Sequence, residues 1–354
     1  MKILVRAPNW VGDAVMAIPA FEQIRRRRAA DEICVLARPV VADLFSGQPF
    51  ADRILQYDFR GRHRGWLGRK KLIGELRKDE FDVAVLLQNA FEAAWLAWRA
   101  RIPERIGYAR DARGPLLTKA VRVPEEGEIR KHESQYYLEL LRRAEWITTL
   151  PVIPPIRLFV ADASRALAES ALRNAGAREN AWRCAIAPGA SYGAAKCWPP
   201  ERFALLADRL ISESGADVIF FGTSGEKEIA ARIRSKMKSP AISLVGETSA
   251  RDLAALFASC SVFIGNDSGA MHVAAAAGLP VIGIFGSTDP EGTAPVTEQF
   301  VLIREAVSCS PCFLRRCPVD HRCMKRITVD AVFAAAMELK TSSKNLSVWG
   351  AENV

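Results

Sequence analysis

The feature that most constrains this chain is a strand-then-helix alternation that runs through it twice, on either side of a proline-rich break. Short apolar runs at residues 3–6, 33–37, 53–57, 83–87 and 105–107 have the length and branching of buried strands. Amphipathic segments such as 14–28 and 70–78 lie between them as crossover helices. Pro19 falls inside the first of these and predicts a kink or a delayed start, because proline lacks an amide hydrogen and clashes with the preceding turn. A longer helix is expected over 133–146, and Leu150-Pro151-Val152-Ile153-Pro154-Pro155 then stops regular structure. The alternation resumes with strands at 184–187, 217–221, 242–244, 262–265 and 281–285, separated by helices at 203–212, 226–235, 250–258 and 270–277.

Alternating strands and helices imply parallel sheets covered on both faces. With 354 residues the chain can bury two full cores. The expectation is an α/β protein of two Rossmann-like domains, 1–155 and 156–340, followed by a polar tail over 341–354. Open sheets of this kind bind ligands beyond the carboxyl ends of their strands. A cleft between the two sheets is therefore the expected binding region.

The longest apolar stretch, 270–285, is interrupted by His272, Gly278 and Pro280 and is too short to span a bilayer. No secretory leader pattern is present at Met1, where polar Asn9 and Asp13 follow the first apolar run closely, so a cytoplasmic protein is expected. The formal net charge of +9 points to an anionic partner. Arg25–Arg28 reads as a helix end, where cations are favourable. Arg60, Arg62, His63, Arg64, Arg69, Lys70 and Lys71, with three glycines and Trp66-Leu67 among them, read as a flexible basic loop suited to a polyanion or an anionic membrane surface. No nucleic-acid-binding motif accompanies the charge, so nucleic acid is not expected as a partner.

Four segments that follow expected strands carry polar residues fit for chemistry. In Asn9-Trp10-Val11-Gly12-Asp13, a glycine turn sets Asp13 at a helix start, as a cap or as a catalytic carboxylate. In Pro188-Gly189-Ala190-Ser191-Tyr192 and on to Lys196-Cys197-Trp198-Pro199, exposed amides, the Ser191 hydroxyl and the Lys196 ammonium read as a diphosphate cradle or, failing that, as a surface loop with a solvated lysine. Its spacing is not that of a Walker A loop. Glu226, in Gly222-Thr223-Ser224-Gly225-Glu226, is placed either to hold sugar hydroxyls or to cap a helix. Asn266-Asp267-Ser268-Gly269 opens a helix whose N-terminal amides suit an anion, and His272 lies one turn behind.

Together, the Asn-Trp-Val-Gly-Asp loop, the Pro-Gly-Ala…Lys196-x-Trp198-Pro199 segment and the Asn266-Asp267-Ser268-Gly269-x-x-His272 segment resemble glycosyltransferase family 9, the bacterial heptosyltransferases, over nearly the whole chain. The first loop, with Cys309-x-x-Cys312 and Cys317-Pro318-x-Asp320-His321-x-Cys323 downstream, is more similar to the heptosyltransferase II branch than to the I branch. The resemblance implies a GT-B fold and inverting transfer of heptose from ADP-heptose to the inner-core heptose of Kdo–lipid A. It implies that Asp13 is the general base, and that Lys196 binds the diphosphate. It also implies donor-site roles for Ser191, Glu226, Asp267, Ser268, Gly269 and His272. No cofactor is required by that chemistry, and Arg62, Arg64, Lys70 and Lys71 would meet the phosphorylated acceptor in peripheral contact with the inner membrane.

The C-x2-C-x4-C-x5-C run of Cys309, Cys312, Cys317 and Cys323 is dense enough for a structural four-thiolate metal site, with His321 as a substitute ligand. Its gaps match neither a zinc ribbon nor a ferredoxin, so a reduced, metal-free loop stands beside that reading. Other readings also stay open: another member of the same family with a different acceptor, a sugar-nucleotide epimerase, or a non-catalytic nucleotide- or nucleic-acid-binding protein. A nicotinamide oxidoreductase is disfavoured, because no Gly-x-Gly-x-x-Gly follows the first strand.

Overall fold

The computed structural model describes residues 1–349. The chain divides into two compact units, Met1–Phe159 and the remainder from Val160, just past the proline-rich break. Each unit is built around a six-stranded sheet paired in parallel throughout.

The first sheet comprises β1 (Lys2–Arg6), β2 (Glu32–Ala37), β3 (Arg53–Gln56), β4 (Val83–Leu86), β5 (Glu104–Tyr108) and β6 (Lys119–Val121). Their spatial order is β3-β2-β1-β4-β5-β6. The second comprises β7 (Arg183–Ala187), β8 (Asp217–Phe220), β9 (Ile242–Ser243), β10 (Val262–Asn266), β11 (Val281–Phe285) and β12 (Phe300–Arg304), in the order β12-β11-β10-β7-β8-β9. Counted from its own first strand, each unit therefore has the same order, 3-2-1-4-5-6, the doubly wound arrangement. In both, the order reverses beside the first strand, between β1 and β4 and between β7 and β10. Chain leaving those strands is splayed apart there, and a crevice opens at the carboxyl ends.

The central strands are buried along their whole length and, apart from Arg183 and Asn266 at their ends, apolar, because helices cover both faces: β7, β10 and β11 have every residue buried. The sixth strand of each sheet was not expected from the sequence. Lys119–Val121 is only three residues long, and Phe300–Arg304 is only partly buried. Both lie at a sheet edge, where less apolar pattern is required.

Pro19 acts as expected. One helix, Val11–Met16, stops at Ala17, and a second, Ile18–Arg27, starts with Pro19 in its first turn, where the missing amide hydrogen costs nothing. The segment expected as a tail begins as helix, since the last helix runs Val329–Trp349; residues 350–354 lie outside the described residues. Among the described residues, no helix is long and apolar enough to cross a membrane.

Candidate active site

In the first unit the crevice beside β1 holds the Asn9–Asp13 loop. Arg6, at the end of β1, is buried and directs its guanidinium under this loop, donating to Ala7 O at 2.6 Å, Leu36 O at 3.2 Å and Asn9 Oδ1 at 2.6 Å. Burial, with Arg38 nearby, lowers its pKa to about 10. The Asn9 amide donates to Gln88 Oε1 at 3.1 Å, tying the loop to the chain that leaves β4. Gln88 O in turn accepts from buried Arg113, which also donates to Asn89 Oδ1 at 3.0 Å. The loop is thus held directly by Arg6 from β1 and, through Gln88, by Arg113 from the connection after β5.

Asp13 sits in the first turn of Val11–Met16, while the cap position belongs to Trp10, whose side chain makes no capping bond. The N-cap reading of Asp13 is accordingly replaced: the residue lies three positions further in, partly exposed, at the positive end of the helix. Beside this short helix packs the helix Glu133–Arg143. Its first residue, Glu133, has its carboxyl pKa pushed up to about 7, first by burial and then by the Asp13 carboxylate; Arg110 opposes this. Tyr137, one turn on, is buried and its phenol is held well above its ordinary pKa by burial, then by Asp13 and Glu133. Glu133 and Tyr137 escaped the sequence reading because nothing local marks them. Only the packing of two helices far apart in the chain brings them to Asp13.

In the second unit the crevice between β7 and β10 joins two of the segments singled out above. Asn266, fully buried at the end of β10, accepts from the Trp198 amide at 2.9 Å and donates to Pro188 O at 2.7 Å. One side chain therefore closes the loop 188–198 at both ends. Trp198 is buried, donates from Nε1 to Ile327 O at 3.1 Å and packs edge-on against Phe203.

Within that loop, Lys196 reaches across to Asp267, with Nζ 2.6 Å from Oδ2, and the same oxygen accepts from Thr288 Oγ1 at 2.6 Å. Asp267 is almost completely buried. Its visible bonds hold Lys196 and order its own loop. An ammonium has three hydrogens, so the ion pair leaves donors for a ligand. Ser268 caps the helix Gly269–Ala276; its hydroxyl makes no capping bond and has no partner among the described atoms. The amides of that helix's first turn need acceptors, which suits an anion. His272 lies buried on the same helix, and Ser191 is exposed in the turn before Lys196.

Of the two readings of Glu226, the structure shows the cap. Its Oε2 accepts from Thr223 N at 2.6 Å and Thr223 Oγ1 at 2.9 Å in a capping box. Its other oxygen lies over Gly189, where a β-carbon would come within 1.6 Å of Oε1, so any larger residue there would push the Glu226 carboxylate aside. The carboxylate is thereby set against the backbone that opens the Lys196 loop.

The cysteine-rich segment packs against the same loop. Tyr192 donates to Phe313 O at 2.7 Å, Ala195 N donates to Arg315 O at 3.1 Å, and His321 Nε2 lies 2.9 Å from Ala195 O. On its other side, Cys312 N and Phe313 N donate to Ser287 O at 3.1 and 2.8 Å. All eight cysteines are free thiols. Cys323 is buried and its thiol pKa is raised, first by burial and then by Cys309, Cys317 and Cys312, so the four lie in one neighbourhood. Among the described residues, however, no group of three or more His, Cys, Asp or Glu is arranged to hold a metal ion, and His321 is engaged by Ala195.

The basic segment differs in form from the expected flexible loop. Asp58 accepts from the amides of Gly61 at 2.9 Å and Arg62 at 3.0 Å, and buried His63 accepts from Asp58 N at 3.1 Å, which folds the turn on itself. Burial of the imidazole, then Arg62, lowers the His63 pKa, against the pull of Glu75. The helix expected over 70–78 begins earlier, directly after Arg64, and runs Gly65–Lys78, so the second half of the expected loop is helical. The glycines at 65 and 68 were read as loop-formers; Gly65 has φ +66° at the helix start, and Gly68 lets the helix lie against the His63 backbone. Arg62, Arg64, Lys70 and Lys71 are all exposed.

Residues 69–322 match the family model of glycosyltransferase family 9 (heptosyltransferase). The lipooligosaccharide heptosyltransferase 2 of Haemophilus ducreyi is 30% identical over 319 residues, covering 86% of this chain and 88% of that protein. The lipopolysaccharide heptosyltransferase 2 of Salmonella typhimurium is 30% identical over 312 residues, with the same coverage of 86% and 88%. Among solved structures, the E. coli ADP-heptose lipopolysaccharide heptosyltransferase II superposes with a TM-score of 0.81 at 27% identity, covering 97% of this chain and 100% of that one.

Proposed function

Since the chain belongs to glycosyltransferase family 9 and is a glycosyltransferase of GT-B fold, we propose that it moves L-glycero-D-manno-heptose from ADP-heptose to the inner-core heptose of Kdo–lipid A, in keeping with relatives named as lipooligosaccharide or lipopolysaccharide heptosyltransferase 2. The observation that carries this reading is the crevice of the second unit. There a buried Asp267 presents Lys196 beside the N-terminus of Gly269–Ala276, a combination suited to a diphosphate.

In this mechanism Asp13 takes the proton from the acceptor hydroxyl as its oxygen attacks the anomeric carbon. The bond from that carbon to the diphosphate oxygen breaks, with inversion, and ADP leaves carrying the new negative charge. Lys196 and the helix amides stabilise that charge as it forms, without a metal. Ser191, Ser268 and Gly269 bind the same diphosphate, and His272 supports it from one turn behind. Glu226 and Asp267 order the loops of the donor site, and Glu226 holds donor hydroxyls with its second oxygen. The first unit, Met1–Phe159, takes the acceptor, and the second, from Val160, takes the donor. Exposed Arg62, Arg64, Lys70 and Lys71 meet the acceptor's phosphates in peripheral contact with the cytoplasmic face of the inner membrane.

Purified protein incubated with ADP-heptose and either heptosyl-Kdo–lipid A or Kdo–lipid A, followed by mass spectrometry, tests the reading. One heptose added to the first acceptor alone is expected. Addition to the second alone would move the chain to a different acceptor, and no addition to either would end the proposal.

A further inference from the structure

The helix Phe91–Arg99 carries Phe91, Trp95 and Trp98 at i, i+4 and i+7, a spacing that sets all three on one stripe. Its other side, Ala93, Ala94, Leu96 and Ala97, is buried in the core of the first unit. Phe91 and Trp98 remain 46% and 45% exposed. The neighbouring helix Gly65–Lys78 packs beside it and adds to the stripe, with the Trp66 ring 6.2 Å from that of Trp95. Trp66 is itself 62% exposed and Leu67 77%. The fold thus leaves uncovered an aromatic face that an isolated surface would bury, and such patches mark interaction surfaces.

The chemistry around the patch selects its occupant. Arg62, Arg64, Lys70 and Lys71 are exposed at the start of the same helix, and the Arg99 guanidinium lies over the Trp98 ring at 5.8 Å. The acidic residue on the aromatic helix, Glu92, is bound by Arg69 at 2.6 Å. Tryptophans edged by lysine and arginine match the headgroup region of a bilayer, where the indole is half solvated and lipid phosphates meet the cations.

We propose that Trp66, Leu67, Phe91 and Trp98 form the surface by which this enzyme rests on an anionic bilayer, with the four apolar side chains entering the headgroup region. The proposal rests on the membrane contact put forward above and extends it from charge to insertion; it does not depend on the identity of the transferred sugar.

The test uses the full chain with vesicles of phosphatidylethanolamine and phosphatidylglycerol, with phosphatidylcholine vesicles as the neutral reference. Binding to the anionic vesicles that weakens with salt is expected, along with quenching of tryptophan fluorescence by brominated acyl chains. The double variant Phe91→Ser/Trp98→Ser should lower partitioning by about tenfold or more, while ADP affinity, read by calorimetry, stays unchanged as a check on folding. Trp66→Phe/Trp98→Phe should keep binding but lose most of the quenching. Wild-type partitioning in the serine variant, or no quenching of the wild type, overturns the proposal. So does a serine variant whose sedimentation shows a smaller assembly than the wild type, because the face would then belong to a second copy. Transfer to a short soluble acceptor is measured separately, so either reading can fail without the other.

Discussion

Replacing Lys196 by methionine tests the donor site and its energetics together. The Lys196 ammonium and the Asp267 carboxylate are 2.6 Å apart, with side chains only 13% and 4% exposed. Removing one partner of a buried pair strands the other, at about 3–5 kcal/mol. Thr288 still donates to Asp267, which favours the lower end, about 3 kcal/mol. For a unit of this size that corresponds to a fall in Tm of roughly 6–12 °C. The same substitution removes a charge-assisted contact to the diphosphate, about 1.5–3 kcal/mol, or roughly 10- to 150-fold in ADP affinity. The two effects separate in the double variant Lys196→Met/Asp267→Asn. An asparagine can still accept from Thr288 but leaves no buried charge, so most of the lost stability should return while ADP affinity stays low. Urea denaturation and calorimetry of ADP binding read the two quantities independently. ADP affinity at the wild-type level in the single variant would remove Lys196 from the donor site. A double variant no more stable than the single would show that the stranded carboxylate is not the cause of the instability.

Four further outcomes follow from the same geometry. Asp13→Asn should lower turnover by about 10²–10⁴-fold, the usual worth of a general base, with ADP affinity within a few fold; turnover near wild type would discard that role. Glu133 has a carboxyl pKa raised to about 7, so the fold favours its protonated form. That stability is complete below the unfolded pKa and lost as pH rises through 7. Urea melts at pH 6 and pH 8 should therefore show a decline of about 1–3 kcal/mol, which Glu133→Gln abolishes; the same decline in the variant would place its origin elsewhere. Asn266→Ala orphans two buried groups and should cost about 1–3 kcal/mol for each while weakening ADP binding, since the 188–198 loop loses its tether. Lost stability with intact ADP affinity would confine Asn266 to folding. Elemental analysis of protein purified without chelator should find zinc and iron well below one per chain, given how the four thiols are arranged; a stoichiometric metal would show that the segment closes around an ion, and Cys312→Ser should then lower thermal stability more than ADP affinity.

Much of the fold was legible because strand and helix periodicity are local properties. The interior strands are apolar over nearly all their length, as strands covered on both faces must be, and Pro19 marks its own helix boundary through its missing hydrogen. The sixth strand of each sheet was not legible: three residues at Lys119–Val121 carry no period to read. The polar segments after β1, β7 and β10 stood out for a similar local reason, since glycine, asparagine and aspartate directly after a buried strand are there to turn the chain.

The sequence by itself determined which loops carry chemistry, because backbone turns and helix starts demand particular residue types within a few positions. Only tertiary structure decided how those residues are used. Asp267 became the partner of Lys196, 71 positions away, and Asn266 the clasp of the loop that carries it. The cysteine segment became the backing of that same loop, and Glu133 was brought against Asp13 by helix packing. These are electrostatic and hydrogen-bonding relations across long loops of chain. Their strength depends on burial and on distances of a few ångström, and neither is written in any local stretch of residues.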